Sequence, residues 1–365
     1  MYLFYKEIDI MIRKFKTPLY YIQGQGVLSD LPTMAGAFGK KIIIFTDSII
    51  KNVIGDSIEK GFNNTELDFK VQLIEGICTH ATIDKAVKYA SDFEADAVIG
   101  VGGGAVMDIA RSSSHKLRLP LLLCPTTAST NAPFTAIAVI NDEHGHMVDA
   151  LFTPFPPMAV AADTGVIIKA PTRFLRAGIG DAMSSVIELM EVNKSNDSSF
   201  LKRISNIAYR MSKDIYKILL EEGRDAVIAS DSGSVSSAFE NVVEAIVFSA
   251  AAGSISLSHA LYEGFRQLPE CDKMMHGEIV AFCSLVQLNI TEEKEMFREC
   301  YSLYKSIGLP VTLKDLNVNR ELLEEDYEAI VGATFKSPCM ANWVKDKRSE
   351  DIVNAIKFVD AYGRE

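Results

Sequence analysis

Two of the six histidines in this 365-residue chain, His259 and His276, stand seventeen positions apart, each at the edge of a strongly apolar segment. Two imidazoles and one carboxylate can hold a transition metal and still leave a coordination position open for a substrate oxygen. The carboxylate on offer is Asp181 in the stretch GIGDAMSS, which reads as a loop entering a helix. Metal-assisted hydride transfer needs such a Lewis acid to take up an alcohol oxygen and lower its pKa. Each residue also has a plainer use. Asp181 after glycine suits an N-cap, His259 a hydrogen-bonded core position, and His276 a cap on the helix that begins GEIVAF. Spacing alone leaves both readings open. His80, His115, His144 and His146 fall in polar loops or on helix edges, and HGH at 144–146 reads as a turn.

A second set of residues suits a nucleotide. AVIGVGGGAVMDIAR is a strand that ends in Gly100, Gly102, Gly103 and Gly104 and then starts a helix. Glycines there let the backbone approach a pyrophosphate, while the helix N-terminus presents unpaired N–H groups to it. Gly100 to Ala105 formally satisfies GxGxxG/A. It lies in the third strand unit, however, with no acidic residue about twenty positions on, so the usual dinucleotide fingerprint fails. The acidic candidate for a ribose is instead Asp47, directly after the strand KIIIFT. Strand carboxyl ends converge on one crevice in parallel sheets, so Asp47 and the glycine loop can share a nucleotide. The plainer alternative is a tight turn with a capping Asp. Asp108 reads as a support for the loop.

The elements that must position these residues fall into two blocks. From about Lys40 to Asp163, KKIIIFTD, FKVQLI, ADAVIGVGGG, LPLLLCPTT and PPMAVAAD read as strands. TIDKAVKYASDFE between them sets Ile83, Ala86, Val87 and Ala90 on one helical face. Alternating strand and helix implies a parallel sheet covered by helices. Beyond Ala170-Pro171 the pattern becomes helical, in RFLRAGIGDAMSSVIELMEV, FLKRISNIAYRMSKDIYKILLEEG, AFENVVEAIVFSAAAG, HGEIVAFCSLVQLNI and SEDIVNAIKFVDAYG. The expected division is an α/β nucleotide-binding domain over 11–170 and an all-α domain over 171–365. Two domains also suit the length.

Composition narrows the function classes. A formal net charge of −11 argues against binding along nucleic acid, which requires clustered Lys and Arg. The six cysteines show neither zinc-ribbon spacing nor a disulfide framework, as expected of a reducing, cytoplasmic setting. MYLFYKEIDIMIRKFK has charges among its apolar residues and no small-residue cleavage site, so it does not read as a signal peptide, and Met11 offers a second start. The only stretch near membrane-spanning length, VVEAIVFSAAAGSISLSHALYEGF, carries Glu244, His259 and Glu263 and reads as one buried core helix.

Taken together, PLYYIQGQGVLSDL, VIGVGGGAVMDIAR, PTTASTNAP, LRAGIGDAMSSVIE, HALYEG and MMHGEIVAFCSLVQL resemble the glycerol dehydrogenase branch of the iron-containing (group III) alcohol dehydrogenase family, in order and spacing, from about residue 16 to the C-terminus. The resemblance implies a cleft between the two domains with Asp181, His259 and His276 as ligands of zinc, or of iron. It implies NAD along Gly102, Gly103, Gly104 and Asp108, with Asp47 near the adenosine ribose and Thr126, Thr127 and Thr135 at the nicotinamide end. The implied activity is oxidation of a small polyol or vicinal diol, by hydride transfer to NAD from a metal-held alkoxide, in a homo-oligomer. Asn131 stands where the branch usually has an Asp facing the substrate, which raises a small 2-oxo acid as an alternative substrate. Ala105 replaces a common Lys, Tyr262 replaces a frequent His, and FSAAAGSISLSH replaces a glycine-rich approach to His259. A sugar-cyclising lyase of the dehydroquinate synthase type shares the architecture, but it would need a basic cluster that the ligand segments lack.

Overall fold

The computed structural model describes residues 15–194, 205–343 and 348–365. The stretch before Phe15, including Met11, lies outside them. Among the described residues, eight strands and five α-helices precede Pro171: β1 (Tyr20–Gly24), α1 (Leu31–Gly36), β2 (Lys41–Thr46), α2 (Ser48–Asn63), β3 (Asp68–Leu73), α3 (His80–Asp92), β4 (Ala97–Gly102), α4 (Gly104–Leu117), β5 (Leu121–Pro125), β6 (Ile137–Asn141), β7 (Met147–Phe152), β8 (Ala159–Asp163) and α5 (Thr164–Ile167). Six of the strands form one sheet in the order β1-β8-β5-β4-β2-β3, with every neighbouring pair parallel. β6 and β7 pair separately as an antiparallel hairpin whose turn holds His144 and His146.

A parallel sheet covered on both faces requires apolar residues at successive positions, which is why KIIIFT, AVIGVG and AVAAD read as continuous apolar runs. Ile42 and Ile44 of β2 face a core that includes Leu31, Ile54 and Phe62, while Ile43 and Phe45 face another built on Ile83, Val98 and Ile109. Thr46 pairs with Val101, and Gly102 with Pro125. The parallel register therefore brings Asp47, the glycine loop and Thr126 to the same edge of the sheet.

Every element described after Pro171 is helical: α6 (Thr172–Lys194), α7 (Asn206–Ser232), α8 (Ser237–Ala252), α9 (Leu257–Phe265), α10 (His276–Ile290), α11 (Lys294–Ile307), α12 (Glu324–Lys336) and α13 (Ser349–Arg364), with short 3-10 turns between some of them. Residues 200–204 of the segment read as FLKRISN… lie outside the described residues. α6 packs against α7, α8 and α10 at the centre of the largest apolar core. No single helix among the described residues is long and apolar enough to cross a membrane.

Two local expectations are corrected. Asp181 does not sit where a loop enters a helix, because α6 runs unbroken from Thr172 through it. Gly178 and Gly180, which suggested the loop, are helical: a Cβ on Gly178 would collide with the Ala128 carbonyl, and one on Gly180 with the Gly277 carbonyl. They are glycines of close approach. The apolar stretch from Val242 to Phe265 is likewise two helices, α8 and α9, separated by an extended connection at Gly253. Its backbone donors are taken up by α6: Ser254 N–H donates to the Ser185 carbonyl at 2.9 Å, and Ser256 N–H to Glu188 Oε1 at 2.8 Å.

Candidate active site

Asp181 lies in the middle of α6, His259 in the first turn of α9 and His276 at the first residue of α10. Packing brings the three helices together around one point. Asp181 Oδ1 is 3.6 Å from His259 Nε2 and 3.3 Å from His276 Nε2. Among the described residues these three form a group whose donor atoms all lie within 4.8 Å of one another. Two ligand atoms held about 2.05 Å from a tetrahedral metal would stand about 3.3 Å apart, so the two carboxylate–imidazole separations suit a divalent ion. Exposure grades across the group, from 3% for Asp181 through 11% for His259 to 38% for His276. The site is closed on the α6 side and open at His276.

The approach of α10 to α6 that makes this possible also depends on glycine. A Cβ on Gly277 would collide with the Ala177 carbonyl, so the residue after His276 must lack a side chain for its neighbour to reach Asp181. Glu278 anchors the same helix start: it accepts from Met275 N–H at 2.8 Å and from Arg173 of α6 at 2.5 and 2.7 Å. His276 itself is not the cap. Tyr262 packs edge-on against the His276 ring, with centroids 4.4 Å apart.

Charge in the pocket is tightly coupled. Burial by itself would raise the Asp181 pKa, but hydrogen bonds from His259 and His276 outweigh it and hold the carboxyl well below the usual range. Burial would lower the His259 pKa, yet the Glu188 charge and the Asp181 hydrogen bond raise it well above the ordinary value. Glu188 was not among the sequence candidates. It lies seven residues beyond Asp181 on the same face of α6, and a Glu inside the apolar run VIELMEV was the available signal.

Asn131 connects the sheet to this group. It follows β5 by six residues, and its backbone N–H donates to Asp181 Oδ2 at 3.2 Å. Its side-chain amide donates to Ser249 Oγ at 3.2 Å and to Ser185 Oγ at 3.4 Å. Gly178 lets the preceding loop lie directly on α6.

The sheet edge presents the nucleotide candidates. A Cβ on Gly102 would stand 2.8 Å from Val106 Cβ, whereas one on Gly103 or Gly104 would meet nothing within 4 Å. Gly102 therefore serves the packing of α4 on its strand, and the space over Gly103 and Gly104 is free for a phosphate. The hydroxyl of Thr126 is buried with no hydrogen-bond partner, an orphaned polar atom beside that space. Thr127 Oγ1 is 3.1 Å from Ser129 Oγ, and Thr135 donates to the carbonyls of Ala132 and Ile137. Asp47 caps α2 through Ile50 N–H at 2.8 Å. Asp108 turns inward: it accepts from buried Arg111 at 2.8 Å and from Val139 N–H at 3.2 Å, and burial pushes its carboxyl up to about 6.

A parallel nucleotide-type sheet joined to a helical half, with an Asp and two His gathered at the carboxyl edge of the sheet, places the chain in the two-part α/β and all-α class. Residues 18–164 match the iron-containing alcohol dehydrogenase family. The chain is 32% identical to glycerol dehydrogenase of Thermotoga maritima over 95% of its own length and 96% of that protein. Its identity to the Citrobacter freundii glycerol dehydrogenase is 30%, covering 97% of this chain and 99% of the other. The crystal structure of glycerol dehydrogenase from Schizosaccharomyces pombe superimposes with a TM-score of 0.90 at 30% identity, over 96% of this chain and 91% of that one. The chain belongs to the iron-containing alcohol dehydrogenase family, on its glycerol dehydrogenase branch.

Proposed function

We propose that this protein oxidises a small polyol or vicinal diol of the glycerol type with NAD, at a divalent metal held by Asp181, His259 and His276. The observation that carries this reading is the meeting of three donor atoms from three helices within 4.8 Å of one another, with Asp181 Oδ1 3.3 and 3.6 Å from the two imidazole nitrogens. The metal supplies Lewis acidity toward a substrate hydroxyl, and NAD is the hydride acceptor. Glycerol dehydrogenase relatives that span nearly the whole chain support the substrate class.

The chain's own residues do the rest. Asp181 is pinned by Asn131 N–H on Oδ2, which leaves Oδ1 directed at both imidazoles. The graded exposure favours entry of substrate from the His276 side, with the buried α6 side away from water. The open space over Gly103 and Gly104 supports a pyrophosphate there, and Thr126, whose hydroxyl has no hydrogen-bond partner, is assigned to the nicotinamide end. One Asp47 oxygen caps α2, and assigning the other to the adenosine ribose favours NAD over a 2′-phosphorylated cofactor. Zinc fits the donor set at least as well as iron. A homo-oligomer in the cytoplasm completes the reading.

The test is nicotinamide absorbance with zinc-loaded protein, run with NAD plus glycerol or 1,2-propanediol, and with NADH plus small 2-oxo acids. Diol oxidation is expected. His259→Ala should cut kcat/KM by about 10³-fold or more, because the Lewis acid is lost with its ligand. Turnover of the oxo acids alone would replace the polyol reading with a reductase, and no turnover in either direction with zinc bound would overturn it.

A further inference from the structure

Glu188 is a charged side chain with no exposed surface, placed behind the metal-ligand group where no substrate can reach it. A buried carboxylate is retained only when its oxygens are fully engaged. Both are. Oε2 lies 2.6 Å from His259 Nδ1, and Oε1 accepts the backbone N–H of Ser256 at 2.8 Å and of His259 itself at 3.1 Å. An ionised carboxylate only accepts hydrogen bonds, so His259 Nδ1 must carry a hydrogen toward Oε2. Nε2, on the far side of the ring and directed at Asp181, is then the nitrogen free to coordinate.

We propose that Glu188 is a positioning residue for the metal centre, which fixes the tautomer and ring orientation of His259 through Nδ1 while clamping the α8–α9 connection that carries it. This inference depends on the assignment of Asp181, His259 and His276 as metal ligands. Glu188→Gln isolates the tautomer, because the two backbone donors select the acceptor at the Oε1 position. The amide oxygen of the glutamine goes there, and its NH2 group faces Nδ1 as a donor. His259 must then accept at Nδ1 and carry its hydrogen on Nε2, the atom that faces the metal. Shape and backbone anchoring are conserved while the coordinating nitrogen is blocked.

The experiment is zinc affinity by chelator competition, with the cobalt-substituted visible spectrum as a second readout, on the full-length wild type and E188Q. A loss of roughly 10- to 100-fold in metal affinity is expected for E188Q, with an altered cobalt spectrum and unchanged far-UV circular dichroism. In a His259→Ala background the same substitution should add nothing, since Glu188 acts through that ring. Wild-type affinity in folded E188Q, or a full additional loss in the His259→Ala background, would overturn the inference and leave the metal site standing. A wild type that binds neither zinc nor cobalt would instead remove the ligand assignment and this inference with it. If E188Q does not fold, nitrogen-15 histidine spectra of the zinc-loaded wild type decide: His259 with hydrogen on Nδ1 is expected, and a bare Nδ1 is the contrary result.

Discussion

The two halves of the molecule both place glycines at the candidate site, for opposite reasons. In the helical half, Gly178, Gly180 and Gly277 are filled positions: a backbone carbonyl occupies the space of each missing Cβ, and the contacts at Gly180 and Gly277 set Asp181 against His276. At the sheet edge, Gly103 and Gly104 are open positions, with nothing in the protein near the missing Cβ. The first set lets the protein touch itself, and the second leaves room for a ligand. A glycine-rich stretch thus has no single meaning. GIGD and GVGGG look alike in a sequence and act through different neighbours.

The largest effect that could break this contrast is at a filled position. Gly277→Ala forces a methyl into the Ala177 carbonyl and should destabilise the fold by about 3 kcal/mol, far above the ~0.5–1 kcal/mol that alanine returns in helix propensity. Urea unfolding measures it, and a neutral result would mean that α6 and α10 need not be so close. The next effect tests the coupled charges that this closeness creates. His259 has a raised pKa, so its pairing stabilises the metal-free fold below about pH 6.5 and is lost as pH rises through the raised folded value. A metal must displace that proton, and apparent zinc affinity should climb by up to about tenfold per pH unit from pH 6.5 to 8.5 in chelator competition. A flat profile would mean that His259 is already neutral.

Substitution at an open position should behave differently. Gly103→Ala is expected to change stability by less than about 1 kcal/mol, since neither its space nor its backbone conformation opposes alanine, yet to raise KM for NAD about tenfold. Equal KM values would place the pyrophosphate elsewhere. The smallest effect belongs to the junction. Asn131→Asp would accept from the Ser185 and Ser249 hydroxyls instead of donating to them, and would add a negative charge beside Asp181. It should shift the ratio of kcat/KM for diol over 2-oxo acid upward by about three- to tenfold, read from paired steady-state assays. An unchanged ratio would show that this side chain does not select the substrate.

Five of the six strands of the sheet were legible, most clearly where a doubly covered parallel sheet demands apolar residues at successive positions, as KIIIFT and AVIGVG display directly, whereas β1 does not show that pattern. The partly exposed pair β6 and β7 escaped notice because alternation in such short strands is weak. Asp181, His259 and His276 could be named as metal-ligating types, but their meeting was legible only through family resemblance, since residues 78 positions apart in sequence, from Asp181 to His259, carry no distance information. Glu188 carries no sign of its role in the sequence, because a Glu in an apolar helix has no stated partner until the fold supplies one.

Sequence by itself determined the class of the first half, the helical character of the second, and the chemical types present at the cleft, because those follow from periodicity and side-chain chemistry along the chain. Only the tertiary structure decided which glycines are filled and which are open, that Asp181 lies in mid-helix, and that a buried glutamate stands behind His259. Each of those depends on an atom contributed by a distant part of the chain, and local sequence cannot say what that atom is.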